Sequence, residues 1–324
     1  MENMKITLLE TGNFMLDGGA IFGVVPRSLW SVQYKANEQN LCNMAIRSLL
    51  VETGTRKILV DTGIGNKQDE KFFSHYYLNG EATLQASLKE YGLMPEDITD
   101  VVLTHLHFDH CGGAVVYDAQ GNLVPAFPNA RYYVSREQWE WAVHPNVRER
   151  PSYLPDNFLP LHEAGRLEFI DKEGEFVPGF SLRMFHGHTA GLLVPFLSDG
   201  KETMVFVSDL LPFMAHIPLS WVCGYDTRPL LTLQEKEAFL SEASEKGYRL
   251  LFQHDAYVRE GKVVKRLTAA SMPSFSACTP EKTTPNYRRH SASESLFFPS
   301  RNISFGRPKG QNVLSLPEAM EKPP

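Results

Sequence analysis

The chain of 324 residues has few cysteines and no long apolar run. Its four cysteines, at positions 42, 111, 223 and 278, show no paired spacing, so we expect reduced thiols rather than a disulfide framework. No apolar run approaches the roughly 20 residues that span a bilayer, which excludes a transmembrane helix of that kind and a membrane partner. The first ten residues lack a basic segment followed by an apolar stretch. The sequence therefore predicts no secretion signal and a cytoplasmic location.

The chain also lacks an excess of basic charge, since 38 Asp and Glu outnumber 32 Lys and Arg and the formal net charge is −6 at pH 7. An acidic chain has no general electrostatic attraction to nucleic acid, so we predict no nucleic-acid partner. Hydrophobic residues make up 43% of the sequence, which at this length is enough to bury a large core. These two observations favour a globular protein that acts on a small molecule.

The segment THLHFDHCGG at positions 104–113 packs three histidines and one aspartate into six consecutive positions. These residues are His105, His107, Asp109 and His110. Neutral imidazole and carboxylate are ligands of zinc and similar divalent metals. The apolar run Val101–Leu103 before the segment indicates a buried strand, and the two glycines after it permit a tight turn. A loop whose histidines only contact solvent or each other is the alternative, but the density of ligands favours metal binding.

Three further candidate ligands each follow an apolar run: His188, Asp209 and His254. A polar side chain at the end of an apolar strand is how α/β proteins build sites at a sheet edge. Taken singly, the three could be a turn histidine, a helix cap and a hydrogen-bonded surface residue. Taken together and in this order, they predict that the metal site is completed downstream.

This pattern resembles the metallo-β-lactamase-fold hydrolases. The shared features are His-x-His-x-Asp-His, the later Gly-His-Thr histidine, the strand-end Asp209, the late His254 and the early segment Val60–Gly63 with its Asp-x-Gly. The resemblance covers about residues 4–266 and implies an α/β fold, a four-layer αββα sandwich of two mixed sheets with metals at one edge. Ser208 departs from the family pattern, which commonly has glycine before the bridging aspartate.

The resemblance also implies a ligand set and a cofactor of two Zn²⁺ ions per chain, with iron or manganese also compatible. One metal would be held by His105, His107 and His188, the second by Asp109, His110 and His254, and Asp209 and a hydroxide would bridge them. Asp61 would either orient a ligand by hydrogen bonding or serve as a turn or cap residue. Asp109 and Asp209 are candidate catalytic residues that move a proton to the leaving group.

The expected reaction is hydrolysis of a lactone or ester, because paired dications lower the pKa of water from 15.7 toward roughly 7. Among the branches of the family, the chain looks most like the quorum-quenching N-acyl-homoserine lactonases and the related organophosphate and aryl-ester hydrolases. We therefore expect an N-acyl-homoserine lactone as substrate. An arylesterase or phosphotriesterase with the same site is the alternative, and a non-catalytic metal-binding scaffold is the alternative from another class.

Two loops rich in large apolar residues, 18–30 and 210–221, are expected to shape the substrate pocket. The candidate wall residues are Phe22, Trp30, Phe213, Met214 and Trp221. Packing within a lid or a subunit interface is the alternative for them, which leaves a homodimer open. His216 and Tyr225 are candidate catalytic donors to the oxyanion, although many loop histidines and tyrosines serve structure alone.

Residues 1–267 are predicted to form the catalytic domain, and the Pro- and Ser-rich residues 268–324 an irregular tail that is dispensable for turnover. Strands are predicted at Lys5–Leu9, Met44–Glu52, Lys57–Val60, Arg131–Val134, Leu167–Ile170, Phe180–Met184, Leu192–Leu197, Met204–Val207 and Arg249–Gln253. Helices are predicted at Glu81–Tyr91, at Arg136–Val143 after the N-cap Ser135, and from the cap Thr232 to a stop at Gly247. Residues 145–160 are expected to be an irregular connection.

Overall fold

The computed structural model describes residues 4–267 and 273–278 of the chain. The strands are β1 (Lys5–Asp17), β2 (Leu41–Thr53), β3 (Arg56–Val60), β4 (Asp100–Val102), β5 (Val115–Tyr117), β6 (Leu123–Pro125), β7 (Arg131–Ser135), β8 (Leu167–Ile170), β9 (Gly174–Val177), β10 (Phe180–Phe185), β11 (Leu192–Ser198), β12 (Thr203–Phe206), β13 (Arg249–Leu251), β14 (Glu260–Leu267) and β15 (Pro273–Cys278). The α-helices are α1 (Gly18–Phe22), α2 (Arg27–Gln33), α3 (Glu70–Ser74), α4 (Leu84–Glu90), α5 (Phe108–Cys111), α6 (Arg136–Val143), α7 (Leu159–Glu163) and α8 (Pro229–Lys246).

Two large sheets of mixed direction organise these elements. The first has the order β1-β2-β3-β4-β7-β8, with antiparallel pairing from β1 to β3 and parallel pairing from β3 to β8. The second has the order β15-β14-β13-β12-β11-β10-β9 and is antiparallel except for the parallel pair β12 and β13. β5 and β6 form a small separate hairpin. Each large sheet therefore contains parallel strands whose carboxyl ends lie at one edge.

Alternation along the strands shows how the sheets pack. Ile58 and Val60 of β3 contact the second sheet, within an apolar layer that also contains Phe206 and Leu251. Leu59, between them in sequence, points to the opposite face and joins a different cluster with residues of α4 and α6. Successive side chains of a strand point to opposite faces, so both faces of this sheet are covered.

The outer face of the second sheet is covered by α8. Phe239, Leu240 and Ala243 of this helix pack on a face of the sheet that includes Val205 of β12 and Leu250 of β13. The layers are therefore helices, sheet, sheet and helix. This confirms the αββα sandwich that the family resemblance implied.

Most predicted elements are present, and the differences concern their ends. β1 continues to Asp17 because the chain passes a register shift between Glu10 and Asn13, where Gly12 adopts φ +128°, and then pairs with β2 again. α8 begins at Pro229 rather than after Thr232, since proline suits the first helical position, where no amide donor is needed. Its predicted end is confirmed.

The N-cap of α6 is also confirmed, because the Ser135 side chain accepts a hydrogen bond from the Gln138 amide. The predicted irregular connection 145–160 contains two short 3₁₀ turns and the start of α7.

The predicted irregular tail from residue 268 needs a correction. Within it, β15 pairs antiparallel with β14 over six residue pairs, and Phe275 is buried in the cluster beneath α8. Alternating small and apolar residues let this proline-flanked segment add an edge strand. The rest of the predicted tail, residues 268–272 and 279–324, lies outside the described residues. Across the part of the chain that the structure describes, no helix is both long and apolar enough to cross a bilayer.

Candidate metal centre

The candidate ligands lie where strands of the two sheets end at one edge. Asp61 follows β3, His105 lies three residues beyond β4, and His188 three residues beyond β10. Asp209 and His254 each follow one of the parallel strands β12 and β13. Carboxyl ends of neighbouring parallel strands meet at the same edge of a sheet. The topology therefore brings together side chains that are up to about 190 positions apart in the sequence.

Three histidines form the first group of candidate ligands. His107 Nδ1 lies 3.0 Å from His105 Nε2 and 3.2 Å from His188 Nε2. Asp209 Oδ2 lies 3.3 Å from the same His188 nitrogen. One nitrogen of each imidazole lies within 4.8 Å of the others, so the three nitrogens converge on one point. All three histidines are buried, which keeps this point away from bulk solvent.

The second group consists of Asp109, His110 and His254. The Nε2 atoms of the two histidines are 3.2 Å apart, and Asp109 Oδ2 lies 3.6 Å from each of them. Asp209 turns its other oxygen, Oδ1, toward this group, 3.1 Å from His254 Nε2 and 3.5 Å from His110 Nε2. One oxygen of Asp209 therefore faces each group, and the seven predicted side chains surround two adjacent points.

Hydrogen bonds on the outer side of the rings show that the donor set suits cations. The Nδ1 atom of His110 lies 3.0 Å from Asp61 Oδ2, and that of His188 lies 2.9 Å from Asp226 Oδ1. His254 Nδ1 lies 2.9 Å from the carbonyl oxygen of Ala45. An acceptor at Nδ1 holds the proton there and leaves the lone pair of Nε2 directed into the site. Converging lone pairs repel one another unless a cation lies between them, so these residues fit a pair of divalent metals.

Burial and neighbouring charges shift the pKa of several candidate ligands. Burial lowers the pKa of His105 well below its usual value, and His110 and His107 act in the same direction. Burial also lowers the pKa of His107. Burial alone would raise the pKa of Asp209, but the neighbouring His254 and His110 outweigh it and hold this pKa well below its usual value. Burial thus favours neutral imidazoles at His105 and His107, whereas the neighbouring carboxylates outweigh burial at His110 and His188 and raise the pKa of both. Asp209 is held in the ionised form, which is the form of a carboxylate that binds metals.

Asp61 lies immediately behind the ligands. Its Oδ1 accepts a hydrogen bond from the Thr104 amide at 2.8 Å, and its Oδ2 accepts from Thr104 Oγ1 at 2.8 Å and from Gln253 Nε2 at 2.9 Å. With His110 Nδ1 also at Oδ2, Asp61 joins the ends of β3, β4 and β13. Of its two expected roles, the geometry favours the one in which it orients a ligand.

The departure from the family pattern at Ser208 has a visible consequence. Ser208 adopts φ +44°, a left-handed conformation that costs a non-glycine residue roughly 1–2 kcal/mol. Its hydroxyl lies 3.0 Å from Thr104 Oγ1, within the same network as Asp61. The backbone therefore retains the conformation for which glycine is suited, and the serine side chain gains a polar partner.

Two carboxylates that contact the histidine ligands were missed by the sequence reasoning. Asp226 holds His188, and Glu149 lies 3.6 Å from His107 Nε2. Both are buried, and neither follows a strand or belongs to a dense polar motif. A buried acidic residue in an irregular segment leaves no periodic signal in a sequence, so only spatial proximity reveals these two.

Residues 44–255 match the model of the metallo-beta-lactamase superfamily. The chain belongs to this superfamily. It is similar to the N-acyl homoserine lactonase of Bacillus cereus, with 30% identity over 214 residues that cover 63% of this chain and 74% of that protein. A probable metal-dependent hydrolase from Staphylococcus aureus has 31% identity and a TM-score of 0.75, covering 88% of this chain and 99% of that one.

The chain is also similar in structure to AidC, a dizinc quorum-quenching lactonase solved in complex with a product, N-hexnoyl-L-homoserine. Its TM-score is 0.72 at 23% identity, over 88% of this chain and 97% of that one, a likeness that shows the fold. The superfamily and the more similar relatives together support a hydrolase.

A cleft of about 350 Å³ opens over the ligands. His107, Asp109, His188 and Asp209 are exposed to it. Its apolar lining consists of Leu16, Ile21, Met44, Phe108, Pro151 and Pro212, with Cys223 and Gly224 beside them. Further polar groups come from Tyr76, Arg148, Glu149, Ser152 and Tyr225. This mixture of apolar surface and a few polar groups is typical of small-molecule sites.

The five side chains predicted to wall the pocket lie elsewhere. Phe22 and Phe213 are completely buried and Trp30 almost so. Trp221 packs against the same cluster, and Met214 packs against the cluster beneath α8. The Phe22 ring stacks on Trp30 at 4.9 Å and on His216 at 5.0 Å between centroids. Among the described residues that line the cleft, none of the five appears. The large rings pack against one another in this cluster, and Ile21, the neighbour of Phe22 in α1, lines the cleft.

The two candidate donors to the oxyanion have different positions. His216 is buried between aromatic rings, its Nε2 lies 3.3 Å from the Ile21 carbonyl oxygen, and burial lowers its pKa to about 3. It does not line the described cleft, so its prediction as a catalytic residue is not supported. Tyr225 lines the cleft and is 40% exposed. Burial raises the pKa of its phenol well above the usual value, which keeps the hydroxyl a donor at neutral pH.

Proposed function

We propose that this protein hydrolyses the lactone ring of N-acyl-homoserine lactones with the help of two bound divalent ions, zinc being the first choice and iron or manganese also compatible with the ligands. The observation that carries the proposal is Asp209, whose two oxygens face two adjacent groups of buried ligands beneath a cleft. The likeness to lactonases of about 30% identity supports the choice of substrate.

His105, His107 and His188 would hold one dication and Asp109, His110 and His254 the other; such ions would supply activated water near neutral pH and polarise the scissile carbonyl, so no serine or cysteine nucleophile would be required. The chain's own residues then position the reacting groups. Asp209 faces both groups and compensates their charge. Asp109 lies at the cleft surface, where its carboxylate can accept a proton and return it to the departing ring oxygen.

The cleft lining suits the rest of the substrate. The protonated Tyr225 hydroxyl can donate to the carbonyl oxygen as negative charge develops on it. Leu16, Ile21 and Met44 offer apolar surface for an acyl chain. Arg148 supplies a cation at the wall, where it can hold the amide carbonyl of the substrate. Ring opening would then require two metal ions, one water molecule and the residues that line the cleft.

Lactone ring opening releases a proton at neutral pH and can be followed directly with a pH indicator. Protein loaded with zinc would be assayed on N-acyl-homoserine lactones of graded chain length, with an aryl ester and a phosphotriester on the same preparation. We expect higher kcat/KM for the lactones. Preference for the aryl ester or the phosphotriester would instead establish the alternative hydrolase.

Metal analysis of the same preparation separates catalysis from simple metal binding. Two ions per chain without turnover of any substrate class would contradict the proposal and favour the non-catalytic scaffold. A Tyr225→Phe variant provides a matched control for the oxyanion donor, because it keeps the ring on the cleft wall and removes only the hydroxyl. We expect its kcat to fall while its metal content stays at the wild-type value.

A further inference from the structure

His107 is oriented differently from the other histidines of the centre. Its Nδ1 points toward His105 and His188, so its Nε2 points outward. That outward nitrogen is buried and has no hydrogen-bond partner within 3.5 Å. The acceptor that faces it is Glu149 Oε1 at 3.6 Å. A buried imidazole N–H in this position needs an acceptor, and Glu149 is the side chain placed to provide one.

Glu149 is itself held in one orientation. It is only 4% exposed, and its Oε2 accepts hydrogen bonds from Trp141 Nε1 at 2.7 Å and from Asn146 Nδ2 at 2.6 Å. Its Oε1 accepts from Thr189 Oγ1 at 2.9 Å. Among the described residues no lysine or arginine forms an ion pair with it. A buried carboxylate without a cationic partner is costly, so a positive charge at the His107 side would compensate it.

The contacts of Glu149 also connect the two chain segments that supply the first group of ligands. Thr189, which directly follows His188, bonds both to Glu149 and, at 2.7 Å, to the Tyr153 hydroxyl. The Tyr153 ring in turn lies 4.8 Å from the His107 ring. The hydrogen bonds and ion pairs described for Glu149 involve none of the residues of the second group.

We propose that Glu149 is a positioning residue that orients His107 and selectively strengthens metal binding by the group of His105, His107 and His188. A carboxylate behind a ligand histidine fixes its ring and raises its basicity, and loss of such a partner costs about 10–100-fold in metal affinity. The second group has its own partners, Asp61 and the Ala45 carbonyl, so it retains its affinity. This inference rests on the metal pair of the proposed function and not on the choice of substrate.

The test is zinc binding by Glu149→Gln, measured in competition with a chromophoric chelator. The wild-type protein should bind two ions. In the variant one of the two should bind about 10–100-fold more weakly and the other within about twofold of wild type. Cobalt substitution gives an independent signature, because the visible spectrum of one bound ion should change and that of the other should not.

Glu242→Gln is a matched control, since Glu242 also accepts several hydrogen bonds but from residues remote from the ligands, among them Arg183 and Tyr248. It should leave both affinities unchanged. Trp141→Phe removes one donor and keeps the carboxylate, so a smaller loss confined to the same ion is expected. This second variant keeps the test decisive if Glu149→Gln does not fold.

Equal weakening of both ions, or no change in either, would overturn the role of Glu149 while leaving the metal pair intact. Wild-type protein that binds fewer than two ions would contradict the metal pair itself, and with it both proposals. Loss of lactone turnover alone decides neither question, which is why the readout is the affinity of each ion.

Discussion

Replacing Phe22 tests whether its ring belongs to the core or to the substrate pocket. The ring is completely buried and stacks on Trp30 and His216. Truncating a buried phenylalanine to alanine costs about 3–5 kcal/mol in unfolding free energy. Each aromatic ring pair stabilises the fold by roughly 0.5–1.5 kcal/mol, and part of that loss is already included in the first figure. We therefore expect Phe22→Ala to lose about 3–5 kcal/mol, which urea unfolding would measure as a lower midpoint at unchanged slope.

The same question can be tested through KM with two variants, Phe22→Leu and Ile21→Ala. Leucine retains most of the apolar volume behind α1, so Phe22→Leu should fold and keep its KM for lactones of every chain length within about twofold. Ile21→Ala shortens a side chain that lines the cleft, and should raise KM most for the longer acyl chains. A stable Phe22→Ala protein with a raised KM would refute the structural placement and restore the pocket assignment made from the sequence.

Three further expectations follow from particular contacts. In Gly113→Ala the new Cβ would lie 2.2 Å from the Thr62 carbonyl oxygen, so the loop that carries the ligands should shift. Urea unfolding should show a free energy of unfolding lower by about 1–3 kcal/mol, and unchanged stability would contradict this. Hydrogen bonds from Arg183 hold the pKa of Glu242 at about 2, below the usual 4.5, so its contribution to stability is present above pH 4.5 and is lost as the pH falls through 2. The difference in thermal midpoint between wild type and Glu242→Gln should therefore shrink over that range, and a constant difference would argue against it. Ending the chain after residue 267 should lower stability, because it removes β15 and the buried Phe275. Ending it after residue 278 keeps β15 and should leave turnover unchanged. Equal stability of the two truncated proteins would count against a structural role for β15.

Many strands, helix caps and ligands were predictable because they leave local patterns, whereas the αββα fold was implied by the family resemblance. Apolar runs such as Met204–Val207 indicate strands by their composition alone, and the dense segment around His105–His110 indicates metal chemistry by residue type. Ser135 and Gly247 could be assigned as caps because an N-cap and a left-handed C-terminal residue act within one helical turn. Each of these signals depends on neighbours in the chain, which a sequence displays directly.

The positions of the apolar loop residues could not be predicted in this way. Ile21 and Phe22 are adjacent and both apolar, yet one lines the cleft and the other stacks between Trp30 and His216. The same is true of polar residues, since Glu149 and Asp226 resemble many other acidic residues in irregular segments. Which face of a short helix meets solvent, a cavity or the core depends on elements far away in the chain.

Residue types and their spacing were therefore enough to name the side chains able to hold metals, and the family resemblance that these residues carry implied the αββα sandwich. Folding alone showed that the two oxygens of Asp209 face different ligand groups, that Glu149 stands behind His107, and that the large rings pack together instead of lining the cleft. The physical reason is that strand formation and ligand chemistry are properties of short segments. Shape complementarity and the burial of charge arise only when segments distant in sequence come into contact.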